Sequence, residues 1–197
     1  MTRSLGEALS LLADKGDINL ENSISRGIEK ESLRVSKDNT ISSADHPSSL
    51  GSALTNKYIT TDFSEALLEL ITPTHSSVEG VLKNLNEICK FVVEETPEAI
   101  WPSSIPCKIE NEDSIRLADY GTSNSGLLKT LYRSGLSYRY GSMMQTVSGI
   151  HYNFSFSDAF FENLRGEEDL QTFKNKSYLS LIRNFRRNAW IILYLFG

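Results

Sequence analysis

The chain has 197 residues, of which 40% are hydrophobic and 23% charged, and its formal net charge is −5. This is the composition of an ordinary globular domain with one sizeable core, and the acidic balance argues against nucleic acid as a partner. The most apolar run, residues 189–196, is far shorter than the ~20 residues that span a bilayer, so we expect a soluble, cytoplasmic protein with no membrane partner.

The first part of the chain is predicted to hold short elements around one long loop. Residues 5–15 place apolar side chains at helical spacing. The stretch 23–43 indicates a strand, a polar turn and a short return strand, and residues 42–57 form a loop rich in Ser, Gly and Asn. Residues 58–73 are apolar and β-branched, so strand and helix both remain open, although Pro73 fixes where the element ends.

The clearest helix is predicted at residues 76–95, where Ser76 and Glu79 have the spacing of a capping box. Its apolar stripe consists of Val78, Val81, Leu82, Leu85, Ile88, Cys89 and Val92. The other cysteine, Cys107, forms no C-x-x-C pair with Cys89, so we expect two thiols in a reducing compartment rather than a disulfide framework or a zinc site.

Three further elements complete the prediction. A Gly/Ser/Asn loop at 121–126 precedes a helix of about two to three turns. Residues 143–156 read as a strand, and residues 177–196 as a helix that is basic in its middle and apolar at its end. This mixed order, without regular βαβ alternation, favours an α+β fold over a doubly wound sheet.

Two glutamates, Glu29 and Glu31, stand two residues apart in the first predicted strand. Residues i and i+2 of a strand share a face and lie roughly 6.5–7 Å apart. Two carboxylates at that separation repel by about 2 kcal/mol at an effective dielectric of ~20. A cation reverses the sign of this term, and Mg²⁺ prefers carboxylate oxygens. On spacing alone, a solvated strand edge beside Lys30 and Arg34 is the more frequent explanation of such a pair.

Glu69 and His151 are the other candidates for a metal site. If residues 67–71 form a strand, Glu69 has apolar neighbours on its own face, which is costly for a carboxylate unless it is paired or metal-bound. The alternative is an exposed glutamate on an amphipathic helix. His151 lies on the polar face of the last predicted strand, where a satisfied polar residue is the commoner explanation of a single histidine. That polar face consists of His151, Asn153 and Ser155, and the apolar face of Ile150, Tyr152, Phe154 and Phe156.

Two segments carry weaker signals. The loop YGTSNSG at 120–126 could present backbone N–H groups to an anion, but it lacks the Walker spacing. The segment LYRSGLSYRYG at 131–141 interleaves tyrosines with arginines. It could stack on nucleic acid bases or hold a small carboxylate substrate with Arg as the fork, and the acidic net charge favours the small carboxylate.

Five longer strings, in chain order, are SRGIEKESLRV, HPSSLGSALTNKYITTDFSEALLELITP, WPSSIPC, LADYGTSNSGLLKTLYRSGLSYRYG and MQTVSGIHYNFSF. Together they resemble the bacterial glutamate–cysteine ligase family (γ-glutamylcysteine synthetase), in the branch typical of enteric bacteria, from about residue 24 to the end of the chain. The resemblance implies a glutamine-synthetase-like α+β fold, with a mostly antiparallel curved sheet, polar inside, and helices packed outside. That fold would be incomplete here because family members are considerably longer.

The resemblance also implies a reaction and a set of site residues. ATP phosphorylates the γ-carboxylate of L-glutamate, and the amine of L-cysteine attacks the resulting γ-glutamyl phosphate, which is the first step of glutathione synthesis. Mg²⁺, or Mn²⁺ in its place, would be held at the positions that match four residues, Glu29, Glu31, Glu69 and His151. The positions around the amino-acid substrates match Asp62, Tyr132, Gln145 and Val147, and Asp62 would lie by the glutamate amine or a metal.

Residues 1–197 are therefore expected to be the N-terminal part of a single catalytic domain whose C-terminal remainder is absent, in line with the apolar run that ends the chain. Glutamate, cysteine and ATP are the expected partners, and the fragment alone is expected to be inactive. Two alternatives remain open. One is a γ-glutamyl ligase with another amine acceptor, and the other is a catalytically incomplete, non-enzymatic fragment.

Overall fold

The structure is a computed structural model that describes Gly6, Ser10 and residues 23–197. Gly6 and Ser10 are helical, and the rest of the helix predicted at 5–15 lies outside the described residues. The chain divides into two compact units, one of residues 26–154 and a smaller one that includes residues 155–197. Within the described residues, no helix combines the length and the apolar character needed to cross a membrane.

A five-stranded sheet centred on one long strand forms the framework. Its strands are β1 (Ile24–Val35), β2 (Ile59–Thr61), β3 (Leu67–Ile71), β4 (Ala99–Ile100) and β5 (Ile150–Phe156). The order is β2–β3–β1–β4, and β5 also pairs with β1. The pairs of β1 with β3 and β4, and of β2 with β3, are antiparallel. The predicted α+β fold with a mostly antiparallel sheet is confirmed.

The segment that the sequence left open between strand and helix, residues 58–73, is a β-hairpin. The backbone N–H of Asp62 donates to the carbonyl of Leu67 (3.0 Å), and that of Leu67 donates to the carbonyl of Ser64 (3.0 Å), which closes the turn between β2 and β3. The return strand predicted after β1 is reduced to isolated bridges, of Ile41 with Val35 and of Thr40 with Lys108.

Two helices of the larger unit differ in detail from the prediction. Helix α1 spans Val78–Glu95, and its N-cap is Ser77, whose side chain accepts from the N–H of Gly80, so the predicted capping box of Ser76 and Glu79 is wrong. Two residues of the predicted apolar stripe, Val78 and Leu82, are about half exposed. The residues of the stripe nearer the end of the helix, Ile88, Cys89 and Val92, pack on the sheet.

Helix α2 spans Asn124–Tyr140, which is 17 residues rather than two to three turns. It begins inside the predicted loop, because the side chain of Ser123 accepts from the N–H of Gly126 and caps the first turn. A Cβ at Gly126 would overlap the carbonyl oxygen of Tyr120, so only glycine allows the helix to start this close to the preceding backbone.

The sheet has a core on each face. On the face covered by α1, the buried residues are Leu50, Ile59, Leu68, Leu70 and Val92, with Ile88, Cys89 and Ile100 packed against them. On the other face they are Leu33, Val35, Ile41, Phe63, Ala66, Leu67, Cys107 and Ile115. This second core lies at the end of its face around Leu33 and Leu67, and among the described residues none of its members is next to Glu29 in the strand pairing.

The smaller unit contains helices α3 (Asp158–Leu164), α4 (Leu170–Asn188) and α5 (Trp190–Phe196). The helix predicted at 177–196 therefore begins earlier, at a turn capped by Asp169, and is interrupted at Ala189. The strand predicted from residue 143 starts at Ile150, because residues 143–146 form a single 3-10 turn. The rings of Phe156, Phe160, Phe161, Phe173 and Tyr178 pack on one another within this unit.

Candidate metal and substrate site

Three glutamates meet on one face of the sheet. Glu29 and Glu31 share a face of β1, and the antiparallel register places Glu69 of β3 directly opposite Glu31. Side chains opposed in this way have Cβ atoms about 4.5–5.5 Å apart, and like charges there are destabilising. We call Glu29, Glu31 and Glu69 the carboxylate cluster.

These glutamates lie neither on a solvated strand edge nor on an exposed helix. β1 is bonded on both sides, and the side chain of Glu31 is only 11% exposed, so the pair is not a solvated strand edge. Glu69 lies in a strand and not on an amphipathic helix.

Two basic residues of β1 next to the glutamates do not neutralise the carboxylate cluster. Lys30 and Arg34 point to the opposite face, since they alternate with Glu29 and Glu31 along the strand. The ammonium group of Lys30 donates to the hydroxyl of Ser32, and the fully buried Arg34 is paired with Glu98. Neither Lys30 nor Arg34 therefore pairs with the carboxylate cluster.

The pKa of Glu69 is raised by burial and by the negative charges around it. Burial is the largest cause, and the negative charges of Asp62, Glu29 and Glu31 add to it, so the pKa rises from 4.5 to about 7. His151 acts in the opposite direction without restoring the ordinary value. A cation among these carboxylates would favour the ionised form of Glu69.

Residues in β5 and immediately before it contact two of the glutamates. The N–H of Gly149 donates to Oε2 of Glu31 (2.6 Å), and Nε2 of His151 lies 3.3 Å from Oε1 of the same side chain. The amide of Asn153 donates to Oε1 of Glu29 (2.9 Å). The predicted metal ligands Glu29, Glu31, Glu69 and His151 are thus brought to one face of the sheet.

The donor set fits a hard divalent cation. Carboxylate oxygens suit Mg²⁺ and Mn²⁺, and a neutral imidazole is a frequent additional ligand. Within the described residues, no group of three or more His, Cys, Asp or Glu side chains has the arrangement of a metal site. The fit therefore rests on the chemistry of the donors and on the raised pKa of Glu69, which burial and then the neighbouring carboxylates cause.

Asp62 joins this site through the turn that precedes β3. The hydroxyl of the buried Tyr120 donates to the carbonyls of Thr61 (2.6 Å) and Asp62 (3.1 Å), and Nε of Arg133 donates to the same Asp62 carbonyl. The guanidinium of Arg133 also lies 4.6 Å from the centre of the Tyr120 ring. These contacts fix the backbone of Asp62, and the negative charge of its side chain helps to raise the pKa of Glu69.

The remaining predicted substrate residues lie outside the strands. Tyr132 is on α2, where it is 64% exposed and lines a groove of about 500 Å³ with Gly135 and Arg139. Gln145 belongs to the 3-10 turn before β5, and Val147 follows that turn with half of its surface exposed. Among the described residues, none of these three forms a hydrogen bond or ion pair with the carboxylate cluster.

Sequence reasoning missed part of this arrangement. Gly149 and Asn153 touch the carboxylates directly, and Tyr120 fixes the turn at Asp62. Asn153 could have been found, because it shares a strand face with His151. Arg133, one of the two arginines in the segment expected to hold a small carboxylate, donates to a backbone carbonyl. The contact of Gly149 depends on the pairing of β5 with β1, for which the sequence has no local signal.

The comparisons with known proteins agree on one family. A family model described as glutamate-cysteine ligase matches residues 9–197. A glutamate–cysteine ligase of Pseudoalteromonas translucida is 48% identical over 100% of this chain and 38% of its own length. One of Hahella chejuensis is 52% identical over 88% of this chain and 34% of its own length.

A solved structure shares the fold. It is a glutamate–cysteine ligase of Francisella tularensis in complex with AMP, with 39% sequence identity and a TM-score of 0.80. The alignment covers 86% of this chain and 34% of that one. The chain thus spans little more than a third of the length of the relatives that it matches.

Proposed function

The chain belongs to the glutamate–cysteine ligase family, and on that premise we propose that it supplies part of a site that joins L-glutamate to L-cysteine with consumption of ATP. The product would be γ-glutamylcysteine, so the reaction is the first step of glutathione synthesis. Residues 1–197 would be the N-terminal part of a single catalytic domain. The activity is proposed for the complete gene product, because the relatives extend well beyond the matched region.

The observation that carries the proposal is the opposition of Glu31 and Glu69 across β1 and β3. Two like charges directly opposite each other destabilise a sheet unless something positive binds there. With Glu29 on the same face and His151 beside Glu31, the arrangement supports a site for Mg²⁺ or Mn²⁺. When bound, the metal supplies charge neutralisation for the ATP phosphates and for the phosphoryl group in transfer.

The residues of this chain would hold the amino acids around that centre. The carboxylate of Asp62 suits the ammonium group of glutamate, since its backbone is held in place by Tyr120 and Arg133. Tyr132 and Gln145 would hydrogen-bond the amino-acid substrates, and Val147 would offer its backbone. Orientation of the γ-carboxylate against the phosphate, and of the amine against the acyl phosphate, is the main contribution expected from such contacts.

We also propose a cytoplasmic location. Cys89 and Cys107 are both free thiols, as expected in a reducing compartment.

The test is formation of γ-glutamylcysteine by the complete gene product, measured by mass spectrometry together with release of ADP. ADP release should require both glutamate and cysteine. The variant Glu31→Gln should lower turnover at least 100-fold, whereas the exposed control Glu110→Gln should leave it unchanged. Equal ADP release without cysteine, or with an unrelated amine in its place, would contradict the proposed acceptor.

A further inference from the structure

Alternate positions at the start of β5 face the carboxylates of β1. Gly149, His151 and Asn153 are spaced two residues apart, so they lie on the same side of the backbone. Gly149 and His151 contact Glu31, and Asn153 contacts Glu29. Each contact joins the same two strands, which means that the orientation of both glutamates depends on β5.

Glu31 is held at both of its carboxylate oxygens. Gly149 donates its N–H to Oε2 at 2.6 Å and accepts the N–H of Glu31 at 3.0 Å, which locks the two backbones together. Nε2 of His151 approaches the other oxygen at 3.3 Å. The Glu31 side chain is 11% exposed and is contacted at both carboxylate oxygens, so it has few alternative rotamers.

The absence of a side chain at Gly149 makes these contacts possible. A Cβ at that position would lie 3.0 Å from Nε2 and 3.3 Å from Cδ2 of His151, and 3.4 Å from Oε2 of Glu31. The His151 side chain is 56% exposed, so its ring is the group that would shift, by a few tenths of an ångström. A methyl group at residue 149 would therefore displace the imidazole relative to the carboxylate of Glu31.

Asn153 orients Glu29 by a hydrogen bond to its carboxylate. An ionised carboxylate can only accept hydrogen bonds, so the amide group facing Oε1 of Glu29 is the NH₂ donor at 2.9 Å. The Asn153 side chain is exposed and takes no part in either core, so its removal should leave the fold intact.

We propose that Gly149 and Asn153 are positioning residues that orient Glu31, His151 and Glu29 for a divalent cation. The inference rests on the proposed metal site and adds two residues that do not bind the metal themselves. Partners that orient metal ligands in this way typically change metal affinity 10- to 100-fold when they are replaced.

The experiment measures Mn²⁺ binding by the complete gene product without ATP, from the electron paramagnetic resonance signal of free Mn²⁺. We expect Gly149→Ala and Asn153→Ala each to weaken Mn²⁺ binding by about 10-fold, with unfolding curves in EDTA close to those of the wild type. The matched controls are Gly27→Ala, whose Cβ would meet atoms only at 3.8 Å or more, and the exposed Asn86→Ala. Both controls should bind Mn²⁺ like the wild type.

A third variant separates the two proposals. If Glu31→Gln leaves Mn²⁺ binding unchanged, the metal site itself is wrong. If Glu31→Gln abolishes binding while Asn153→Ala and a folded Gly149→Ala bind like the wild type, the metal site stands and the positioning role is refuted. Should Gly149→Ala fail to fold, Asn153→Ala alone decides, because its side chain lies outside the cores.

Discussion

Replacing Glu69 by glutamine tests the charge balance of the carboxylate cluster in the metal-free protein. The change keeps the size and shape of the side chain and removes only its charge. In the folded protein the pKa of Glu69 is raised from 4.5 to about 7, mainly by burial and then by Asp62, Glu29 and Glu31. A group whose pKa is raised on folding holds its proton more tightly in the folded state than in the unfolded state.

The direction of the pH effect follows from this difference. Well below pH 4.5 the carboxyl is protonated in both states and carries no penalty. As the pH rises towards 7, the unfolded state loses the proton first, so the free energy of unfolding falls and the contribution of the protonated group is lost. Glutamine cannot ionise, so the variant should not show this part of the pH dependence.

The magnitude can be worked from the same shift. Each pKa unit corresponds to about 1.4 kcal/mol, so a rise from 4.5 to about 7 corresponds to roughly 3 kcal/mol as an upper bound. The side chain keeps some contact with water, and solvent screening reduces the effect to about 1–2 kcal/mol. We therefore expect Glu69→Gln to be more stable than the wild type by about 1–2 kcal/mol at pH 8 and to lose most of this advantage at pH 5.

The assay is urea unfolding in EDTA at pH values from 5 to 8, with the exposed Glu110→Gln as the matched control. Adding Mn²⁺ at pH 8 should stabilise the wild type and not the variant, since a ligand that binds only the folded state raises its stability. A stability difference between variant and wild type that stays constant from pH 5 to pH 8 would refute the reasoning.

Three further predictions concern the frame around the site, each measured by urea unfolding. Tyr120→Phe removes the hydroxyl that bonds the carbonyls of Thr61 and Asp62 and should cost about 1–2 kcal/mol, whereas Tyr138→Phe, at a side chain that is 97% exposed, should cost nothing measurable. Arg34→Ala leaves Glu98 without its buried partner and should cost about 3–5 kcal/mol, and an equal effect of the exposed Arg183→Ala would contradict this account. Gly126→Ala should prevent normal folding because its Cβ overlaps the carbonyl of Tyr120, while Gly135→Ala, with nothing within 4 Å of the new Cβ, should stabilise α2 by about 0.5–1 kcal/mol. Similar effects of the two glycine substitutions would show that the close approach at residue 126 is not what requires glycine.

The elements and the donors could be predicted from local patterns, but their contacts could not. The alternation in β1 and the apolar stripe of α1 are visible in short windows, and they led to one strand and one helix near their observed limits. The choice of Ser77 over Ser76 as the cap depends on backbone geometry, which two adjacent serines do not distinguish.

The candidate site shows the same division. Glu29 and Glu31 could be proposed from their spacing, Glu69 from its apolar strand neighbours and His151 from the polar face of its strand, and the resemblance to the family pointed to all four. The register that sets Glu69 opposite Glu31 joins residues that are distant along the chain. The clearance above Gly149 depends on a third segment, so no property of that glycine in the sequence points to the site. Long-range pairing was the missing information in both cases.

β1 has a consequence for how this protein can change over time. Its odd positions carry Glu29 and Glu31 and then Leu33 and Val35, whereas its even positions carry Lys30 and the buried Arg34. Inserting or deleting one residue would exchange the two faces, sending both glutamates to the α1 core and Arg34 to the opposite side. A substitution in this strand can therefore alter the carboxylate cluster or the core separately, whereas an insertion or deletion disrupts both. Variation in length among relatives should accordingly collect in the loops that flank β1 and spare the strand itself.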